Sequence, residues 1–177
     1  MKPIDTMAEP SFLEMACSER GDGMILLDSI DDFLKIDRHG EYRLCCDIDF
    51  EGKQIPKLLD DFRGVLDGNG HKVKNLVISR RVRFDGEPVA LFVSARNAEI
   101  KNISFDNLRI CVDNDGYRPE VACLCVMAER CWFSNIVVCI ADSECRPLVY
   151  DSNECTYAQI RHPGTITHYS ENDCLEE

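Results

Sequence analysis

At 177 residues with 45% hydrophobic side chains, the chain is long enough to bury one core without metal or disulfide staples, and too apolar to be a disordered tract. A net charge of −12 disfavours nucleic acid as a direct partner, because its phosphates would be repelled. No apolar run approaches the roughly 20 residues of a membrane-spanning helix, so membrane insertion by that route is not expected. From Met1 to Ser18 the only basic residue is Lys2, against Asp5, Glu9 and Glu14. That stretch lacks the basic region and apolar core of an export signal, so a soluble, cytoplasmic protein is expected.

Residues 1–45 read as an N-terminal helical cap. Ser11 precedes Phe12-Leu13-Glu14-Met15-Ala16, with Glu14 at the capping-box spacing and Gly21 as a stop. Ser29 precedes Ile30-Asp31-Asp32-Phe33-Leu34, with Asp32 three residues beyond the cap and Gly40 as a stop. Both patterns predict short helices, and Phe33 and Leu34 are the expected core contacts.

Residues 46–162 contain an internal repeat. Moving Val89 to Phe105 forward by 33 residues superposes Leu91 on Leu124, Val93 on Val126, Ala95 on Ala128, Asn102 on Asn135 and Ile103 on Ile136. A backward shift of 27 lays Val73–Ile78 on Ile100–Phe105. A forward shift of 24 lays Leu148 on Leu124, Gln159 on Asn135 and Ile160 on Ile136. Each copy has two short, alternating, β-branched stretches, which is a strand pattern. One copy cannot bury its apolar edge, whereas stacked copies bury a continuous column. The fold class expected is therefore mainly β, a short right-handed parallel β-helix of about four coils on N-terminal capping helices. Asn75, Asn102 and Asn135 are expected to form a side-chain amide ladder at one turn, continued by Gln159.

The stretch Phe62–Ile78 contains Asp67-Gly68-Asn69-Gly70-His71 followed by Asn75-Leu76-Val77-Ile78. With Asp47-Ile48-Asp49 ahead of it, it resembles the entry coil of GLUG-motif β-helix repeat proteins. Those repeats occur in bacterial adhesin-like surface proteins and alongside some IgA-specific peptidases. Where the motif favours G-L-F-G, this chain has Ala90-Leu91-Phe92-Val93. The resemblance covers roughly residues 29–140. It implies the fold and brings no catalytic residues. Gly68 and Gly70 are expected to serve backbone geometry, as glycines that accept positive φ in a tight turn.

The eleven cysteines lie mostly in apolar runs and read as reduced thiols acting as small hydrophobes. No zinc-type ligand spacing is present, so no metal and no cofactor is expected. His39, His71, His162 and His168 are dispersed, and no Ser-His-Asp or phosphate-loop signature occurs. An enzyme is not expected. A short stack also lacks the long groove that polysaccharide-cleaving β-helices use.

Charge is unevenly spread: −8 over residues 1–62, +3 over 63–118 and −7 over 119–177. Acidic ends favour a protein partner with a basic surface. The expected function is a non-catalytic interaction protein that binds and blocks a basic, nucleic-acid-handling protein, in the manner of anti-CRISPR-like phage inhibitors. Its expected contacts are Asp22, Asp28, Asp31, Asp32, Asp60 and Asp61. A basic cluster, Arg80, Arg81 and Arg83, is expected in a loop between the first two copies, where it would meet an acidic group or a second copy of the chain. The alternatives are a carbohydrate- or surface-binding module, which exposed aromatics would favour, and a lyase or hydrolase. Trp132, the one tryptophan, lies in a strand and is expected to be packed. Residues 163–177 read as an acidic tail.

Overall fold

The computed structural model describes residues 23–55, 59–141 and 146–162. The first predicted helix, Asp22 and the C-terminal tail lie outside the described residues. Nearly all of the regular structure among the described residues is strand. In order it runs β1 (Ile25–Leu27), α1 (Ile30–Phe33), β2 (Glu41–Leu44), β3 (Ile48–Asp49), β4 (Val65–Asp67), β5 (Lys72–Lys74), β6 (Val77–Val82) and β7 (Pro88–Val89). It continues through β8 (Phe92–Arg96), β9 (Glu99–Asn114), β10 (Glu120–Val121), β11 (Cys125–Glu129), β12 (Trp132–Ile140), β13 (Val149–Asn153) and β14 (Thr156–Arg161).

Every strand pairing is parallel, and strands from successive repeats lie beside one another. One sheet runs in the order β1-β2-β4-β9-β12-β14, and a second runs β8-β11-β13. Strands of two to six residues are too short to persist alone. They are held by what they bury. The register lines up Tyr42, Leu66, Ile100, Phe133 and Tyr157 across the first sheet, all at most 7% exposed. Each buried aromatic or branched side chain contributes about 1.5–3 kcal/mol, far more than the pairing of a two-residue strand. Phe133 stacks on Tyr157 with ring centroids 5.2 Å apart, and Phe92 of the second sheet packs on Phe62 at 4.9 Å.

The chain turns at residues in the left-handed region, and these fall into columns. Asn102, Asn135 and Gln159 have φ of 53°, 51° and 54° and sit at one bend, in register. Glu51, Asn75 and Asn107, with φ of 53°, 54° and 58°, sit at a second bend. Asn97, Arg130 and Glu154 mark a third. Asn recurs because its short polar side chain tolerates this conformation.

The 33-residue and 24-residue shifts are the registers found: Ile103 pairs with Ile136, and Ile136 with Ile160. The 27-residue shift is not. Val73 pairs with Phe105, and Leu66 with Ile100. Asn75 therefore does not stack on Asn102. Two ladders exist instead of one. At the first bend Asn135 Nδ2 donates to Asn102 Oδ1 at 3.1 Å, and Asn102 Nδ2 donates to Asp67 Oδ1 at 3.1 Å. At the second, Asn107 Nδ2 donates to Asn75 Oδ1 at 2.6 Å, and Asn75 Nδ2 donates to Asp49 Oδ1 at 2.8 Å.

The expected N-terminal cap is also corrected. Residues 23–45 contribute two strands, β1 and β2, to the main sheet, so among the described residues the parallel stack already includes Ile25, ahead of the expected start at residue 46. Helix α1 is one turn between those strands. Ser29 caps it as expected, its Oγ accepting the Asp32 N–H at 3.2 Å and donating to Asp32 Oδ2 at 2.5 Å. The helix stops at Leu34, well before Gly40. Phe33 is buried and meets Phe50 edge-on at 5.5 Å.

Of the two turn glycines, Gly70 has φ +80° as expected, but Gly68 is required for a different reason. A Cβ at Gly68 would run into the Asn102 carbonyl and the Ile103 backbone of the next layer.

Candidate binding surface

Sheet β8-β11-β13 carries a shallow outer groove of ≈ 190 Å³. Its floor is the in-register row Ala95, Ala128 and Ser152, and its walls are Ser94, Met127 and Asp151 on one side and Arg96, Glu129 and Asn153 on the other. The side chains of that row point inward and are buried, so the floor is strand backbone flanked by outward-facing neighbours.

At the rim lies a mixed-charge cluster. The Asp61 carboxylate is paired with Arg63 at 2.8 Å, Arg38 at 3.8 Å and Arg96 at 3.9 Å. The Arg63 hydrogen bond holds the Asp61 carboxyl below the usual carboxylate range. Arg96 also reaches Glu129 at 3.7 Å, which Arg130 meets at 3.0 Å. Asp60 is tied in through Ser94, whose Oγ donates to Asp60 Oδ1 at 3.1 Å and accepts the Asp61 N–H at 3.0 Å. Two expected partner contacts, Asp60 and Asp61, thus border the groove. Asp61 is not an open acidic contact, because guanidinium groups from three layers already surround it.

The other expected contacts lie elsewhere. Asp28 and Asp31 are exposed beside α1. Asp32 is engaged in the helix cap and with Lys35 at 3.0 Å. Arg80 and Arg81 are on strand β6, not in a loop, and their charge is spoken for. Arg80 pairs with the buried Glu87 at 3.1 Å, and the Arg83 N–H donates to the other Glu87 oxygen at 2.7 Å. Arg81 pairs with Asp115 at 3.2 Å and Asp113 at 3.7 Å. Two of the three predicted basic side chains, Arg80 and Arg81, are thus neutralised by ion pairs.

Asp67, in the Asp67-Gly68-Asn69-Gly70 turn, accepts from Arg43, the Asn69 N–H and Asn102, which is a structural role. Cys123, Cys125, Cys131 and Cys155 are buried. Burial pushes the Cys125 thiol up; contact with Cys131, together with burial, does the same to Cys155. Cys139 is exposed while Cys123 and Cys125 are buried, and no group of three His, Cys, Asp or Glu suited to a metal ion occurs among the described residues.

Two features escaped the sequence. Cys123 Sγ lies 3.3 Å from His162 Nε2, a pairing across 39 positions that no local motif signals; the sulfur is buried. Trp132 is 55% exposed, not packed. The signal for that was parity: Phe133 occupies the inward position, so its neighbour must face out.

Among the described residues, no helix is long and apolar enough to cross a membrane. No family model, curated protein or solved structure matches the chain.

Proposed function

We propose that this chain is a non-catalytic binding protein, built as a short right-handed parallel β-helix, that captures a protein with a basic surface. All-parallel pairing between successive repeats, with left-handed residues in columns at three bends, supports a coil that closes on itself. Its hand follows from the strong right-handed preference of parallel crossovers. The turns begun by β4, β9, β12 and β14 are the four coils expected from the repeat, and β1 and β2 add two further rungs ahead of them.

The observation that carries the function is where the charge is. The described residues hold 21 acidic and 17 basic side chains, and most of them are tied into ion pairs, some local, such as Lys101–Glu99, and some across layers, such as Lys72–Asp106 and Lys74–Asp47. Residues 1–22 and 163–177 hold nine acidic and two basic side chains. A balanced body flanked by acidic sequence suits steering toward a basic surface. Blocking a nucleic-acid-handling protein would follow from occupying the surface that meets phosphate.

The test is affinity capture from cells that express the tagged chain, with retained proteins identified by mass spectrometry at rising salt. A partner with a basic surface, released as salt rises, supports the reading. A partner retained regardless of salt, or none, overturns it.

One observation favours a second reading, a carbohydrate-binding module. Ser94, Ser152, Asn153, Asp151, Glu129 and Arg96 line one groove, a set of hydroxyl, amide and charged groups able to bond vicinal sugar hydroxyls. A glycan array decides it; a hit abolished by Asp151→Ala supports it, and a blank array removes it.

A further inference from the structure

Strands alternate their side chains, so the position before each buried residue of the main sheet faces solvent. Along β2, β4, β9, β12 and β14 these positions are Glu41, Val65, Glu99, Trp132 and Thr156, all in register. This outward column carries two carboxylates and no cation. In it, Trp132 and Glu99 are direct neighbours on adjacent strands, about 4.8 Å apart along the stack. Trp132 leaves 55% of its surface in water. An indole so exposed is a large apolar area with no packing use here, because Phe133 fills the core from the same strand.

The backbone beneath is fixed. The Trp132 N–H donates to the Ala98 carbonyl at 2.9 Å, and the Thr156 N–H to the Cys131 carbonyl at 2.9 Å. Glu99 is paired with Lys101, whose Nζ sits 2.9 Å from Oε1. A π-face beside a carboxylate is a receptor for a cation: a guanidinium stacks on the ring while its N–H groups meet the carboxylate. An anionic ligand would instead meet Glu99 and Glu41.

We propose that Trp132 and Glu99 form the contact on the stack that receives an arginine or lysine side chain of the basic partner. This rests on the basic-partner reading and locates its anchor, as rigid exposed aromatics with charged neighbours are favoured interface hot spots. Lys101 is the built-in competitor, since it occupies one Glu99 oxygen.

The sole tryptophan makes the site its own reporter. The full chain is titrated with a labelled nona-arginine peptide, following peptide anisotropy and Trp132 emission together, with unfolding midpoints of each variant as a folding control. The expected result is saturable anisotropy accompanied by a saturable change in Trp132 emission. Trp132→Ala and Glu99→Gln should each weaken peptide binding about tenfold, and Lys101→Met should tighten it. Anisotropy that saturates with unmoved emission, and equally in both weakened variants, overturns this inference and leaves the basic-partner reading standing. No anisotropy change at any salt overturns both. Emission that responds to a neutral oligosaccharide and not to the peptide overturns it in favour of sugar binding.

Discussion

Two columns of side chains, one residue apart on the same strands, behave as different materials. The inner one reads Tyr42, Leu66, Ile100, Phe133 and Tyr157, and it is uniformly apolar and buried. The outer one reads Glu41, Val65, Glu99, Trp132 and Thr156, with no common chemistry. The same backbone hydrogen bonds serve both, so the difference is imposed by what each face meets. Burial constrains the inner column at every layer. The outer column is released from that constraint, and a large aromatic there has to be explained by something other than folding.

The inner column should be the more sensitive by far. Phe133 is fully buried and stacked on Tyr157, so Phe133→Ala should cost about 3–5 kcal/mol, read as a loss in urea unfolding free energy. A loss below about 1 kcal/mol would mean that the column is not the source of cohesion. The bends come next. Asn102→Val places a β-branched residue at φ 53° and removes two amide hydrogen bonds, for about 2–3 kcal/mol together. Asn102→Gly keeps the conformation and should cost about half of that. Asn75→Val should behave similarly, and the two losses should add if the ladders are separate. Strong non-additivity would put Asn75 and Asn102 in one ladder.

That last experiment bears on how the sequence could be read. The 33-residue and 24-residue shifts were legible because core positions on both strands of a copy recur together. The 27-residue shift failed because the layer of β9 carries the same motif twice. Asn102-Ile103-Ser104-Phe105 and Asn107-Leu108-Arg109-Ile110 both run Asn, apolar, any, apolar, one at each bend. Asn75-Leu76-Val77-Ile78 resembles both, and only its pairing with the second is real. The strands β1 and β2 were hidden because a three-residue strand beside a capped helical turn carries no periodicity to detect. Ion pairs such as Asp61 with Arg38, Arg63 and Arg96 were illegible for a further reason, since their partners come from different layers.

A smaller effect is expected at the entry to the stack, where solvent screens the charges. The Asp32 carboxyl is lowered from 3.8 to about 2 by hydrogen bonds from Ser29 and Lys35. A carboxyl depressed on folding stabilises above its unfolded value, and that contribution is lost as pH falls through the folded one. The wild-type chain should therefore lose stability between pH 3.8 and about 2 more steeply than Asp32→Asn does. Identical acid limbs in thermal unfolding would show that the Ser29 cap does not hold the charged form.

The smallest stability effect belongs to the outer column, and there smallness is the point. Trp132→Ala removes the largest side chain on that face, yet should change unfolding free energy by no more than about 0.5 kcal/mol. Set beside Phe133→Ala, its immediate neighbour, this is the sharpest form of the comparison. A residue that contributes little to the fold, held out on a rigid strand beside Glu99, has its use in contact with something else. A loss of 2 kcal/mol or so, as for a packed aromatic, would return Trp132 to the core and take the proposed anchor with it.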